Sequence, residues 1–263
     1  LYQYFRSENA KLVVFSGAGL SAESGLETFR DNGGLWAQYD PMEVCNYENW
    51  LDNFELVHRF YNLRREELGK VQPNAMHKFL ASLPMILNKP RIALSAKKKH
   101  KDPIEVIHIT QNVDDLLERA GVSNVIHLHG ELCKIICPQC EHIFDIGYTH
   151  FEPHNCPNCD YGKLKPFIVF FYERAPKYVI MHDIFSQLSS KDCVLVIGTS
   201  GNVVDISTIL AFAESRARIG YKILNNLQYC PSIAESVFDK IFYKPTTQAI
   251  AEIEQELEQF FIS

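Results

Sequence analysis

With 263 residues, 46% hydrophobic and 22% charged, the chain can build one large core, or a large and a small one, and lacks the polar excess of a disordered protein. A formal net charge of −6 argues against binding nucleic acid or anionic membrane through bulk charge, and no apolar run is long enough to span a bilayer. Residues 1–10 have neither the apolar core nor the cleavage site of a signal peptide, so the chain reads as cytoplasmic, with a targeting segment ahead of Leu1 left open because the first residue is not Met.

Leu1, Tyr4 and Phe5 have helical spacing and predict a short helix beneath the first strand. Leu12, Val13, Val14 and Phe15 then form a β-branched and aromatic run that stops at Ser16 and Gly17, as a buried parallel strand does before a tight turn. Gly17, Gly19 and Ala22 fit the G-x-G-x-x-G/A pattern, in which absent side chains let backbone N–H groups approach a pyrophosphate. A plain glycine turn is the competing reading. In an ordinary dehydrogenase a second strand with an acidic end follows within about twenty residues. Here the chain runs instead through Thr28, Phe29, Arg30 and Asp31 to Trp36. Arg30 is close enough to the loop to serve as a fixed cation, or it is a solvated arginine.

Residues 53–68 predict a helix whose polar arc carries Glu55, His58, Arg59, Asn62, Arg65 and Glu66. Phe54, Leu56, Val57, Phe60, Tyr61, Leu63 and Leu68 fill the other arc, and Arg64 lies among them, three residues after Tyr61. A guanidinium does not enter such a space unpaired. Either an internal carboxylate such as Glu23, Asp52 or Glu66 pairs with it, or Arg64 and the Tyr61 hydroxyl bind a ligand carboxylate.

Residues 75–83 predict a helix, and the basic run Lys97, Lys98, Lys99, His100 and Lys101 a solvated loop. A strand over 106–110 ends in Gln111, Asn112, Val113 and Asp114, before a helix stopped by Gly121. That clustering of polar side chains at the carboxyl end of a parallel strand is more than a helix cap requires. A strand over 124–128 ends in His127, Leu128, His129 and Gly130, with both imidazoles on one face by alternation. A histidine at a strand end is more often a satisfied polar residue than a catalyst, but beside a dinucleotide loop an imidazole followed by glycine is suited to take a proton from a ribose hydroxyl. Cys137 and Cys140, then Cys156 and Cys159, are two C-x-x-C knuckles fifteen residues apart, the pattern of a closed structural zinc site, with two disulfides as the competing reading. Residues 193–197 predict a buried strand entering a second small-residue loop, Gly198, Thr199, Ser200 and Gly201. A strand over 221–224 places Asn225 at its end, and Thr246 or Thr247 caps a last helix reaching Phe261.

Taken together, Gly17, Ala18, Gly19 and Ser21 through Phe29 and Arg30, Gln111 to Asp114, His129 with Gly130, the cysteine knuckles, Gly198 to Ser200 and Asn225 resemble the sirtuin family over nearly the whole chain. The resemblance implies an α/β protein: a Rossmann-like parallel sheet with helices on both faces, formed by residues 1–40, 73–131 and 166–263, plus a helical insertion (41–72) and a small zinc-ribbon lobe (132–165). It implies NAD as co-substrate, one structural zinc ion, and removal of acyl groups from lysines of proteins or peptides, yielding nicotinamide and an O-acyl-ADP-ribose. By resemblance His129 is the general base, Asn112 and Asp114 hold nicotinamide and its ribose, and Gln111 contacts the ribose. Gly17, Ala18, Gly19, Ala22, Phe29, Arg30, Gly198, Thr199, Ser200 and Asn225 complete the NAD site. Tyr61 and Arg64 look like the motif of the class that removes succinyl, malonyl and glutaryl groups, with Cys45 where that class commonly has alanine. The chain departs from the family at Tyr172, where glycine is usual between Phe171 and Glu173, and at Asp205, where proline is common. Mono-ADP-ribosyl transfer, plain deacetylation with Arg64 internally paired, and non-catalytic NAD binding are the alternative functions.

Overall fold

The computed structural model describes residues 8–27, 38–95 and 102–262. The helix expected around Leu1, Tyr4 and Phe5, the residues Phe29 and Arg30, and the basic run 97–101 lie outside them. The strands are β1 (Lys11–Ser16), β2 (Glu105–Thr110), β3 (Ile126–His127), β4 (Gly130–Ile136), β5 (Ile143–Asp145), β6 (Lys165–Ile168), β7 (Cys193–Ile197), β8 (Tyr221–Asn226) and β9 (Lys240–Tyr243). The helices are α1 (Gly19–Ala22), α2 (Pro41–Val44), α3 (Phe54–Lys70), α4 (Ala75–Ser95), α5 (Leu116–Ala120), α6 (Lys177–Ser186), α7 (Ile206–Glu214) and α8 (Ile250–Ile262).

Every residue of β1 is buried because the strand is covered on both faces. Leu12 and Val14 pack with α4 and α8, through Leu80, Leu83, Ile253 and Leu257. Val13 and Phe15 point the other way, to α6 and α7 through Ile184, Phe185, Ile206 and Leu210. Six parallel strands run in the order β3-β2-β1-β7-β8-β9. The chain builds outward from β1 in one direction and then from β7 in the other. The crevice at the carboxyl ends of β1 and β7 is therefore the switch point, where open α/β sheets bind ligands.

In a separate antiparallel sheet, β5-β4-β6, Ile135 of β4 packs with Phe151 and Leu164 around the cysteines. A further cluster joins Val44, Trp50, Val57, Phe60, Tyr61 and Leu68 to Leu132, Ile168 and Phe170. Among the described residues no helix is long and apolar enough to cross a membrane.

Several elements differ from their expected form. The helix begun at Ala75 continues through Pro84, since a proline removes one N–H bond without forbidding further turns when the helix is packed. The strand expected over 124–128 is only Ile126–His127. Thr246 and Thr247 do not cap the last helix: both hydroxyls donate to Glu23, at 2.7 and 2.6 Å. On α3, Arg65 is fully buried and His58 nearly so, because the zinc lobe packs where the wheel has a polar arc. Arg65 donates to the carbonyls of Thr149 (3.2 Å) and Leu132 (3.3 Å) and to Asn62 Oδ1. His58 donates from Nε2 to Leu164 O at 2.9 Å, and burial pulls its pKa down to about 4.

Candidate active site

The two glycine loops meet backbone to backbone. Gly17 N–H donates to Ile197 O (2.9 Å) and Gly19 N–H to Gly198 O (2.8 Å), so both glycine donors serve the loop junction rather than standing open to a phosphate. A Cβ on Gly17 would lie 2.8 Å from Gly198 O, and one on Gly198, where φ is +60°, only 2.5 Å from Leu20 N. Glycine is thus required by close approach at both positions. Ala18 and Ala22 are exposed, and Ser200, next in sequence to the buried Thr199, is half-buried.

Gln111, directly after β2, donates from Nε2 to Thr199 Oγ1 at 2.8 Å and so ties the β2 end to the second loop. Ser21 in α1 gathers the next set. It donates to Asp114 Oδ2 (2.9 Å) and accepts from Asn112 Nδ2 (3.1 Å). His77 Nδ1 accepts the Asn74 N–H (3.3 Å), which leaves the proton on Nε2, 3.4 Å from the same hydroxyl. One donor and two acceptor positions of Ser21 are all used. Burial lowers the His77 pKa to about 4, so this ring is neutral. Burial raises the Asp114 pKa, against the lowering bonds from Ser21 and the Leu116 N–H.

His127 and His129 have separate partners. His127 bonds the Asn112 carbonyl (2.8 Å) and pairs with Glu118 (2.8 Å). Burial pulls its pKa down, but Glu118 and the carbonyl outweigh that, and the net shift is upward. His129 lies beyond the end of β3. A carbonyl only accepts, so His129 Nδ1 carries the proton and donates to Gln111 O (2.9 Å), leaving the Nε2 lone pair toward the Tyr178 hydroxyl at 2.8 Å. Burial lowers the His129 pKa, opposed by the Gln111 bond, and the neutral ring with a free-base Nε2 prevails at neutral pH.

Asn225, buried in β8, donates to the carbonyls of Phe242 and Lys244, both at 3.1 Å, while its Oδ1 has no partner among the described residues. An orphaned buried acceptor at the edge of this crevice suits a ligand with hydrogen-bond donors. The Sir2 family sequence model matches residues 17–205.

The chain belongs to the Sir2 family, the sirtuins. It is 40% identical over 249 residues to the NAD-dependent protein deacylase of Campylobacter jejuni, covering 95% of this chain and 96% of that one. Identity to the NAD-dependent protein deacylase of Salmonella typhimurium is 36% over 248 residues, 93% of this chain and 83% of the relative. Among solved structures, a Sir2 homolog in complex with NAD superposes with a TM-score of 0.74 at 30% identity, covering 96% of this chain and 91% of that one.

In this sirtuin the Sγ atoms of Cys137, Cys140, Cys156 and Cys159 all lie within 4.8 Å of one another. The pairs Cys137–Cys159 and Cys140–Cys156 are 3.5 and 3.7 Å apart. Four thiolates at about 2.3 Å from zinc have tetrahedral edges of about 3.8 Å, so the set fits that ion and leaves no position for water. The disulfide reading falls away, since all eight cysteines are free.

Tyr61 is buried, stacked on Phe170 at 5.7 Å, with its hydroxyl beside the Cys45 thiol, a weak acceptor, and no oxygen or nitrogen partner among the described residues. Arg64 is paired, though with none of the expected carboxylates: Glu67, one turn on, takes Nη1 at 3.2 Å. Glu23 is held by the threonines and Glu66 by Lys70. Both departures from the family have local explanations. Tyr172 has φ +65°, the left-handed conformation that glycine adopts without strain, and is 71% exposed. Asp205 caps α7 by accepting from the N–H (3.0 Å) and hydroxyl (2.6 Å) of Thr208.

The sequence reading missed His77 and Tyr178 and assigned Ser21 no role in the site. Asn74 carries the one readable signal, since its Oδ1 caps α4 at Met76 and His77 while its Nδ2 holds Leu20 O. Tyr178 has no local signal.

Proposed function

We propose that this sirtuin, an NAD-dependent protein deacylase, removes acidic acyl groups (succinyl, malonyl and glutaryl) as well as acetyl from protein lysines. Bound NAD supplies the ribose carbon that bears nicotinamide, which the acyl oxygen attacks as nicotinamide leaves. His129 is the general base: its neutral Nε2 takes the proton of a ribose hydroxyl, and the Gln111 carbonyl fixes the tautomer that makes this possible. Asn112 and Asp114 hold the nicotinamide end, oriented through Ser21. Gly17, Ala18, Gly19, Ala22, Gln111, Gly198, Thr199, Ser200 and Asn225 line the remainder of the NAD site, together with Phe29 and Arg30.

The observation that carries the acidic preference is the Tyr61 hydroxyl. It is a buried donor whose one neighbour among the described residues is the weakly accepting Cys45 thiol, one helical turn from a guanidinium already holding a carboxylate. An acyl carboxylate would replace that thiol contact with a charge-assisted hydrogen bond, the stronger kind. Arg64 is 11% exposed and Glu67 35%, so the Glu67 carboxylate is the partner with access to solvent and can yield its place to a ligand carboxylate. Segment 168–171 links this pocket to the base: Val169 N–H donates to His129 O (2.9 Å), and Phe170 stacks on Tyr61.

The test compares one peptide carrying acetyl-lysine or succinyl-lysine, following nicotinamide release by wild type and Arg64→Met. Faster turnover of the succinyl peptide, lost by about 10- to 100-fold in the variant while acetyl turnover holds, is expected. Acetyl preference that is indifferent to the substitution would mean that Arg64 is engaged within the protein and binds no acyl group.

A further inference from the structure

We propose that Tyr178 is a positioning residue for the base: its phenol caps the His129 Nε2 lone pair in the free enzyme and yields that place to the ribose hydroxyl. The proposal rests on His129 being the base. An imidazole nitrogen has one in-plane lone pair and accepts one strong hydrogen bond. With Nδ1–H committed to Gln111 O, Nε2 is the acceptor and Tyr178, at 2.8 Å, is its donor. The rings sit 5.9 Å apart at 44°. Tyr178 is the second residue of α6, and its N–H is held by Ala175 O at 3.2 Å.

A half-buried tyrosine needs some partner, and packing alone would be content with any acceptor. Here the partner is the single lone pair that the chemistry requires, on a ring that is itself half-buried and so reachable from the crevice. The phenol cannot stand in for the base, because burial raises its pKa and keeps it protonated. Toward an unprotonated Nε2 it can only donate, and a ribose hydroxyl cannot reach that nitrogen until it moves aside.

Among the described residues, the nearby carboxylates are engaged elsewhere. Asp114 is bonded to Ser21, Glu118 to His127, and Glu131 to Lys134 and, at 4.0 Å, Lys177. Burial lowers the His129 pKa and the Gln111 carbonyl raises it. A donor on the lone pair favours the neutral ring, so deleting it must raise that pKa.

Tyr178→Phe keeps the ring and removes the hydroxyl. In wild type the acidic limb of kcat/KM for NAD reports the free enzyme, and the limb of kcat reports the complex. The variant is expected to move the first limb up by about half to one pH unit and leave the second in place. An unmoved kcat/KM limb, or equal movement of both, would overturn the proposal. A second measurement needs no catalysis: 15N NMR of His129 in the NAD-free wild type should show the Nδ1-protonated tautomer, with an Nε2 shift that changes in Tyr178→Phe. The opposite tautomer would overturn it too. Retained activity in His129→Ala would remove the base assignment and the proposal with it, whereas the NMR comparison reads the Tyr178 contact independently of that role.

Discussion

Ser21 shows how much one hydroxyl can organise. It lies between a carboxylate, an amide and an imidazole, and all three would lose a partner together in Ser21→Ala. Leaving such groups unsatisfied costs about 1–3 kcal/mol, so kcat/KM should fall about 10- to 100-fold, read by nicotinamide release at saturating peptide. An unchanged kcat/KM would mean that Asn112 and Asp114 are positioned without it. This hub was only partly legible. Asn112, Asp114 and His129 stand at strand ends beside polar or glycine neighbours, which local pattern reveals. The Ser21–His77 contact spans 56 residues and exists only because α1 and the start of α4 meet. Tyr178 is equally hidden, since its partner is 49 residues away. The helix wheel placed a guanidinium in desolvated surroundings on α3 but could not say that Arg65 goes deeper than Arg64, because nothing local announces the zinc lobe on the opposite arc.

At the scale of elements, the zinc lobe is latched rather than appended. Tyr148 donates to Asp115 beside the Gln111–Asp114 segment, Thr149 O accepts from Arg65, and Phe151 exchanges two bonds with Asn62, at 2.8 and 3.2 Å. The cysteine spacing was fully readable because zinc fixes the ligand geometry locally; the latches were not. We propose 132–165 and 41–72 as the lobe and insertion flanking the Rossmann-like part. Chelating the metal should release about one zinc per chain and speed amide exchange over residues 148–151 and along α3, while β1 and β7 stay protected. Uniform loss of protection across the sheet would mean that the lobe is integral to the main core. Exchange unaffected by chelation would mean that the four thiols need no ion.

For the molecule as a whole, the two halves of the parallel sheet are joined at the glycine junction. The strand pattern and both loops were legible, but that the loops touch each other was not, since neither can show its distance from the other in sequence. Gly198→Ala would force a Cβ to 2.5 Å from Leu20 N at a φ of +60°. It should destabilise the protein by about 3 kcal/mol or more and lower Tm by roughly 5–10 °C in a thermal melt. A Tm within a degree of wild type would mean that the junction opens at little cost.

The central claim is that the crevice at this junction couples nicotinamide release to acyl removal through His129. The most direct measurement is the product balance with adenylate-labelled NAD and a succinyl-lysine peptide. Equal amounts of nicotinamide, freed lysine peptide and labelled O-succinyl-ADP-ribose are expected, all abolished in His129→Ala. Label retained on protein, or lysine freed without nicotinamide, would contradict the account.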